Sequence, residues 1–263
     1  MNQEPKKEHT MKIPLRWRLA ALAVSLLAVG STRAAEVQVA VAANFTEAAK
    51  KIAADFEKDT GNTVKLSFGA TGAFFAQIKE GAPFDVLLAA DEATPRKIVD
   101  EGLGLGETRK TYAIGKLVLW SADPALVDAN GAVLKSDKVR HVAVADAKLA
   151  PYGKAAQEAL ERLGLTDKLK DKLVTAGNIA QAYQFVTSGN AEIGFVALGQ
   201  VQPPDGSKAS GSMWVVPDNL YSPIRQDVVV LASAKSKSTA REFAKYLATD
   251  KARATIKAYG YAW

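Results

Sequence analysis

The chain has 263 residues, with 34 Lys and Arg against 28 Asp and Glu, a formal charge of +6, two His and no Cys. At 48% hydrophobic and 24% charged it is too apolar to stay unfolded and long enough for one or two packed domains. The missing Cys excludes disulfides, thiolate metal sites and a cysteine nucleophile, and two His are too few for a three-imidazole zinc site.

The first 34 residues hold Lys6, Lys7, Lys12, Arg16, Arg18 and Arg33 against Glu4 and Glu8, so +4 of the charge lies there and residues 35–263 carry +2. Small and apolar residues then run unbroken from 19 to 30, followed by Ser31-Thr32-Arg33-Ala34. A basic start, a short apolar stretch and a small-residue exit predict a secretory signal peptide over 1–34, cleaved after Ala34, with Met11 as an alternative start. The apolar run is shorter than the roughly 20 residues that span a bilayer. Trp17 separates Arg16 from Arg18, which argues against a twin-arginine signal. The exported protein is then nearly neutral, with no basic field to suggest a nucleic acid partner.

From residue 36 onward strand and helix patterns alternate. Residues 37–43 read as a strand, and 46–58 as a helix with Ala48, Ile52, Ala53 and Phe56 on one face. A strand over 63–68 leads through Gly69-Ala70-Thr71-Gly72 into a helix ending at Gly81. Residues 84–90 are almost all apolar, as in a parallel strand buried on both faces. Thr94-Pro95 opens a short helix that Gly102 closes. Repeated βα units of this kind predict a parallel, doubly wound sheet. Further strands are expected over 112–120 and 142–145, a helix over 154–163 behind Ala150-Pro151-Tyr152-Gly153, and a short helix over 167–173. Asn178-Ile179 precedes a helix ending near Gly189, and a strand follows over 193–198. A Pro, Gly and Ser-rich loop over 202–211 precedes strands over 213–216 and 228–232 and helices over 239–248 and 251–259. Residues 35–263 fit two α/β lobes better than one domain.

Catalytic patterns are weak. His141 is the one histidine outside the leader and reads as structural, beside a strand and without a triad motif. Asp85, Asp91, Asp146 and Asp227 lie at strands, where capping or ion pairing suits them better than paired acid chemistry or metal binding. Gly-x-Ser-x-Gly, Gly-x-Gly-x-x-Gly and Walker patterns are absent. An exported hydrolase using the strand-end Asp residues remains an alternative. Stronger is a fourfold pattern: Ala43-Asn44-Phe45-Thr46, Gly69-Ala70-Thr71-Gly72, Ala150-Pro151-Tyr152-Gly153 and Gly177-Asn178-Ile179-Ala180 each lead into a helix. Such turns carry free N–H groups and the positive end of a helix dipole to the sheet edge where α/β proteins bind ligands. None of the four contains Lys or Arg, which points to an uncharged pocket for a small dehydrated oxyanion and leaves its identity open.

Residues 35–263 resemble the periplasmic molybdate-binding proteins of bacterial ABC transporters. The resemblance is carried by Val39-Ala40-Val41-Ala42-Ala43-Asn44-Phe45, Phe68-Gly69-Ala70-Thr71-Gly72, Gly81-Ala82-Pro83-Phe84-Asp85-Val86, Ala89-Ala90-Asp91, Tyr112-Ala113-Ile114-Gly115-Lys116-Leu117, Ala150-Pro151-Tyr152-Gly153, Gly194-Phe195-Val196-Ala197-Leu198 and Tyr259-Gly260-Tyr261. It implies a two-lobed periplasmic-binding-protein fold of type II, each lobe a mixed, mostly parallel sheet flanked by helices. Lobe 1 would take residues 35–116 and 225–263, and lobe 2 residues 117–224. It further implies molybdate or tungstate held by hydrogen bonds from Ala43, Asn44, Thr71, Tyr152 and Ile179, with no direct metal-ion ligand. No cofactor and no catalysis are implied. A monomer delivering its anion to a membrane permease is expected. Many members have Ser where Asn44 stands, and some a Tyr where Ala197 stands. Sulfate or phosphate in the same fold is the nearest alternative.

Overall fold

The computed structural model describes Met1 and residues 34–263, so the expected leader lies outside the described residues. Its first sheet comprises β1 (Glu36–Ala42), β2 (Thr63–Gly69), β3 (Val86–Leu88), β4 (Lys110–Gly115) and β10 (Ile224–Val230), ordered β2, β1, β3, β10, β4. The second comprises β5 (Leu117–Ser121), β6 (Val142–Ala145), β7 (Leu173–Ala176), β8 (Ile193–Ala197) and β9 (Ser212–Val215), ordered β7, β6, β8, β5, β9. Helices are α1 (Thr46–Thr60), α2 (Thr71–Lys79), α3 (Ala93–Asp100), α4 (Pro151–Arg162), α5 (Thr166–Leu169), α6 (Ile179–Thr187), α7 (Leu198–Val201), α8 (Lys237–Tyr246) and α9 (Asp250–Ala258).

Alternation along β1 sends Val37, Val39 and Val41 into a cluster with Ile52, Phe56, Phe243 and Ile256 from α1, α8 and α9. Ala40 points the other way, to Phe74, Ile78 and Ile98 of α2 and α3. Burial on both faces explains why β3 and its flanks are continuously apolar. Fully buried side chains of this size contribute about 1.5–3 kcal/mol each. A separate core surrounds the second sheet, where Val142, Val144, Ile193 and Phe195 meet Ala156, Leu160 and Ala182 of α4 and α6.

The two sheets repeat one plan. β1 pairs in parallel with β2 and β3, as β6 does with β7 and β8. The fourth strand of each sheet, β10 or β5, runs antiparallel to both neighbours. Each lobe is thus the mixed, mostly parallel sheet that the resemblance implies, with one antiparallel strand beside the parallel βα core. The antiparallel strand in each case has just crossed from the other sheet, so no βα crossover constrains its direction.

Residues 112–120 are likewise two strands rather than one. β4 ends at Gly115 in the first sheet and β5 begins at Leu117 in the second, with Lys116 alone between them. The chain returns through residues 216–223 into β10, which starts at Ile224 rather than 228. The helix expected over 167–173 is α5 followed by a 3-10 turn, Lys170–Lys172, and Leu173 already belongs to β7. Its βα order leaves the N-termini of α1 and α2 beyond the carboxyl ends of β1 and β2, and those of α4 and α6 beyond β6 and β7. Among the described residues no helix is long and apolar enough to cross a membrane.

Candidate anion site between the two sheets

All four turns converge. Ala43, Asn44, Gly69, Ala70, Thr71, Ala150, Pro151, Tyr152, Asn178 and Ile179, with Ala42 and Ala90, line one narrow cavity of about 10 Å3. That is far below the roughly 300–1,000 Å3 typical of pockets for drug-sized ligands, so the space suits only a ligand of few atoms. No charged side chain lines it. A wider cleft of about 270 Å3 adjoins it, sharing Ala90, Ala150 and Pro151, and is lined by both charge signs: Asp91, Glu158, Lys148 and Lys154.

Each helix contributes amides without intrahelical acceptors. Thr71 is the first residue of α2, Tyr152 the second of α4 and Ile179 the first of α6, so their main-chain N–H groups lie in the unsatisfied first turns. Ala43 and Asn44 belong to a 3-10 turn, Ala43–Phe45, that leads into α1. Other first-turn donors are already paired. Asn178 Oδ1 accepts from the N–H groups of Ala180 and Gln181 at 2.9 and 3.1 Å, capping α6. The Gly72 N–H donates to the Leu149 carbonyl at 2.9 Å, joining the loop after β6 to the start of α2. Gly72 therefore serves contact between the two halves rather than close approach of an anion.

The side chains are buried and neutral. Thr71 Oγ1 accepts from the Ala90 N–H at 3.0 Å, which leaves its own hydrogen free to be donated. Asn44 Nδ2 donates to Gln226 Oε1 at 2.9 Å and to Tyr261 Oη at 3.2 Å, and Tyr261 Oη donates to the Asn44 carbonyl at 2.7 Å. Burial raises the phenols of Tyr112, Tyr152 and Tyr261 above the usual tyrosine range. They remain hydroxyl donors at neutral pH. Among the described residues, three buried side-chain atoms have no partner within the protein: Asn44 Oδ1, Tyr152 Oη and Gln226 Nε2. All three belong to this one cluster, where polar atoms buried without a partner are costly.

The model of the bacterial extracellular solute-binding protein family matches residues 37–262. The chain belongs to that family. A molybdate-binding protein of Azotobacter vinelandii is 54% identical to this solute-binding protein over 251 residues, 95% of this chain and 99% of the relative. Another, from Rhodobacter capsulatus, is 49% identical over 94% of this chain and 96% of the relative. The solved structure of the Azotobacter vinelandii periplasmic molybdate-binding protein superposes with a TM-score of 0.85 at 43% identity, covering 86% of this chain and 99% of that one. The fold is thus the type II periplasmic-binding-protein fold anticipated from the resemblance.

Gln226, Tyr261 and Tyr112 escaped the sequence reading of this site. Gln226 fell before the strand expected from 228, although a buried polar residue within Ile224–Val230 is a usable signal once the strand is extended. The candidate acids behave as caps and ion partners. Asp85 accepts from the N–H groups of Gln38 at 2.7 Å and Lys235 at 2.8 Å. Asp91 accepts from the Thr94 N–H at 2.8 Å and Asp146 from the Lys148 N–H at 2.9 Å. Asp227 pairs with Arg109 and accepts from Thr111 Oγ1 at 2.7 Å. The His141 ring is half-exposed beside Glu192, with its main-chain N–H donating to Glu192 Oε2 at 2.8 Å. Among the described residues no three His, Asp or Glu side chains group as metal ligands.

Proposed function

We propose that this solute-binding protein captures molybdate, and with it the isosteric tungstate, in the uncharged cavity. The anion is held by hydrogen bonds from Ala43, Asn44, Thr71, Tyr152 and Ile179, and is delivered to the permease of an ABC transporter. The protein acts in the periplasm as a monomer after removal of residues 1–34, with no catalytic step and no cofactor. Lobe 1 comprises residues 35–116 and 225–263 and lobe 2 residues 117–224, so the anion bridges two bodies joined by the segments near 116 and 224. In support, β4 and β5 lie in different sheets on either side of Lys116, and β10 rejoins the first sheet from Ile224.

The observation that carries this reading is the convergence of four helix starts on a cavity without charged side chains, in a chain 54% identical to a named molybdate-binding protein. A tetrahedral dianion loses its hydration on entry and needs a donor for each oxygen. Hydrogen bonds to a charged partner contribute about 1.5–3 kcal/mol each, and helix N-termini supply positive potential without a countercharge. Neutral donors also leave discrimination to oxygen spacing and cavity size, because no fixed cation attracts every anion alike. Binding contacts available only with the lobes together shift the hinge equilibrium toward closure.

Thermal unfolding with and without molybdate tests the proposal. Ligand at about 1,000 times its dissociation constant adds about 4 kcal/mol, which for a chain of this size raises the melting temperature by about 8–16 °C. An unchanged melting temperature at millimolar molybdate would sink the reading.

A further inference from the structure

Gln226 has no exposed surface and lies on β10, the strand that returns the chain to the first sheet. The register between β10 and β4 shifts between Gln226 and Asp227, a bulge of the kind that re-aims a side chain. Its Oε1 accepts from Asn44 Nδ2 at 2.9 Å and lies 3.2 Å from Tyr112 Oη, whose single hydrogen has a nearer acceptor in the Ala89 carbonyl at 3.1 Å. With the acceptor end held by Asn44, the Nε2 end faces the opposite way. There it meets Tyr152, from α4 beside the other sheet: a Cβ added to Gly115 would collide with Tyr152 Oη and come within 2.8 Å of Gln226 Nε2. Gly115 therefore opens the space in which these two atoms, both without a hydrogen-bond partner, lie beside one point.

The hydrogen logic follows. Gln226 Nε2 can only donate, so a Tyr152 Oη facing it keeps its single hydrogen for the cavity side, and neither atom has a hydrogen-bond partner within the protein. Asn44 is held from the same carboxamide and from Tyr261 Oη, which fixes the turn that bears its main-chain N–H. We infer that Gln226 is a positioning residue for anion capture: its carboxamide, carried on the returning strand, orients Asn44 from the first lobe and the Tyr152 hydroxyl from the second toward one anion. The inference rests on the reading of the cavity as an oxyanion site. It gives the strand that joins the lobes a direct hold on donors from both, so the donor set is complete when Tyr152 is docked against β10.

Gln226→Glu is the informative variant. A protonated Glu reproduces the carboxamide, with a carbonyl for Asn44 and an O–H on the side of Tyr152. An ionised Glu has no donor, turns the Tyr152 hydrogen toward itself and adds negative charge beside the bound anion. Burial raises the pKa of the introduced carboxyl. The neighbouring phenols of Tyr112, Tyr152 and Tyr261 are raised by burial and stay neutral, while the cleft carboxyl of Asp91, raised by burial, is common to wild type and variant. Molybdate titrations of both proteins from about pH 5.5 to about pH 8.5, with ligand-free melting temperatures recorded alongside, test this. The variant is expected to bind within about threefold of wild type at the acid end and to lose about tenfold per pH unit above its carboxyl pKa, because only the protonated fraction is competent. Wild-type affinity is expected to stay level. Gln226→Met, of similar shape but without hydrogen-bonding ends, should bind at least about tenfold more weakly at every pH while melting as a single transition. A Met variant that binds as wild type does overturns the inference alone, as does a Glu variant whose affinity follows wild type although its ligand-free melting temperature falls with the carboxyl's ionisation inside the range. Absence of molybdate binding by the wild-type protein overturns the anion-site reading and the inference with it.

Discussion

Thr71 illustrates how one side chain ties the fold to the proposed ligand. It is 1% exposed, its Oγ1 already accepts from the Ala90 N–H, and its hydrogen has no other assignment. Thr71→Ala should therefore weaken molybdate binding by about 1–3 kcal/mol in a calorimetric titration, and Thr71→Ser should recover most of it. His141→Ala should change neither affinity nor stoichiometry, since that ring lies beside Glu192 and lines neither the cavity nor the adjoining cleft. Thr71, Tyr152 and Ile179 could be singled out from sequence because each stands where a Gly, Ala, Pro or Asn turn meets a helical pattern. Gln226 and Tyr261 could not. Their partner Asn44 lies 182 and 217 positions away, and local periodicity carries no information about such pairs.

At the scale of elements, the βα repeats were legible and two boundaries were not. Residues 112–120 are strand-like and apolar on both sides of Gly115-Lys116, yet pairing with β10 on one side and β8 and β9 on the other divides them between two sheets. β7 was hidden because Leu173–Ala176 is short, partly exposed and preceded directly by helical turns. Contacts between elements also separate folding from binding. Asp85→Ala strands two part-buried donors, the N–H groups of Gln38 and Lys235, and should lower the unfolding free energy by about 1–3 kcal/mol in urea titrations, with molybdate affinity retained where the protein is folded. Gly72→Ala should do the reverse. A Cβ there meets the Leu149 backbone at 3.1 Å, so it holds the rim of the cleft apart, while Ala in α2 favours the ligand-free helix by up to about 1 kcal/mol. Its signature is weaker binding, by about tenfold, without a fall in the ligand-free melting temperature.

For the whole molecule, charge and topology point the same way. Most of the +6 is concentrated in residues 1–34, and the +2 left on residues 35–263 accompanies a cavity built from neutral dipoles. Two sheets of identical plan, exchanging their fourth strands through Lys116 and residues 216–223, set four helix starts against each other and leave one hydrogen-bonded rim between Gly72 and Leu149. Calorimetric titration of residues 35–263 with molybdate, followed by displacement with tungstate, sulfate and phosphate, tests that account most directly. It predicts one molybdate per chain, displaced by tungstate at comparable concentration and not by equimolar sulfate or phosphate. Absence of molybdate binding, or tighter binding of sulfate or phosphate, would contradict it.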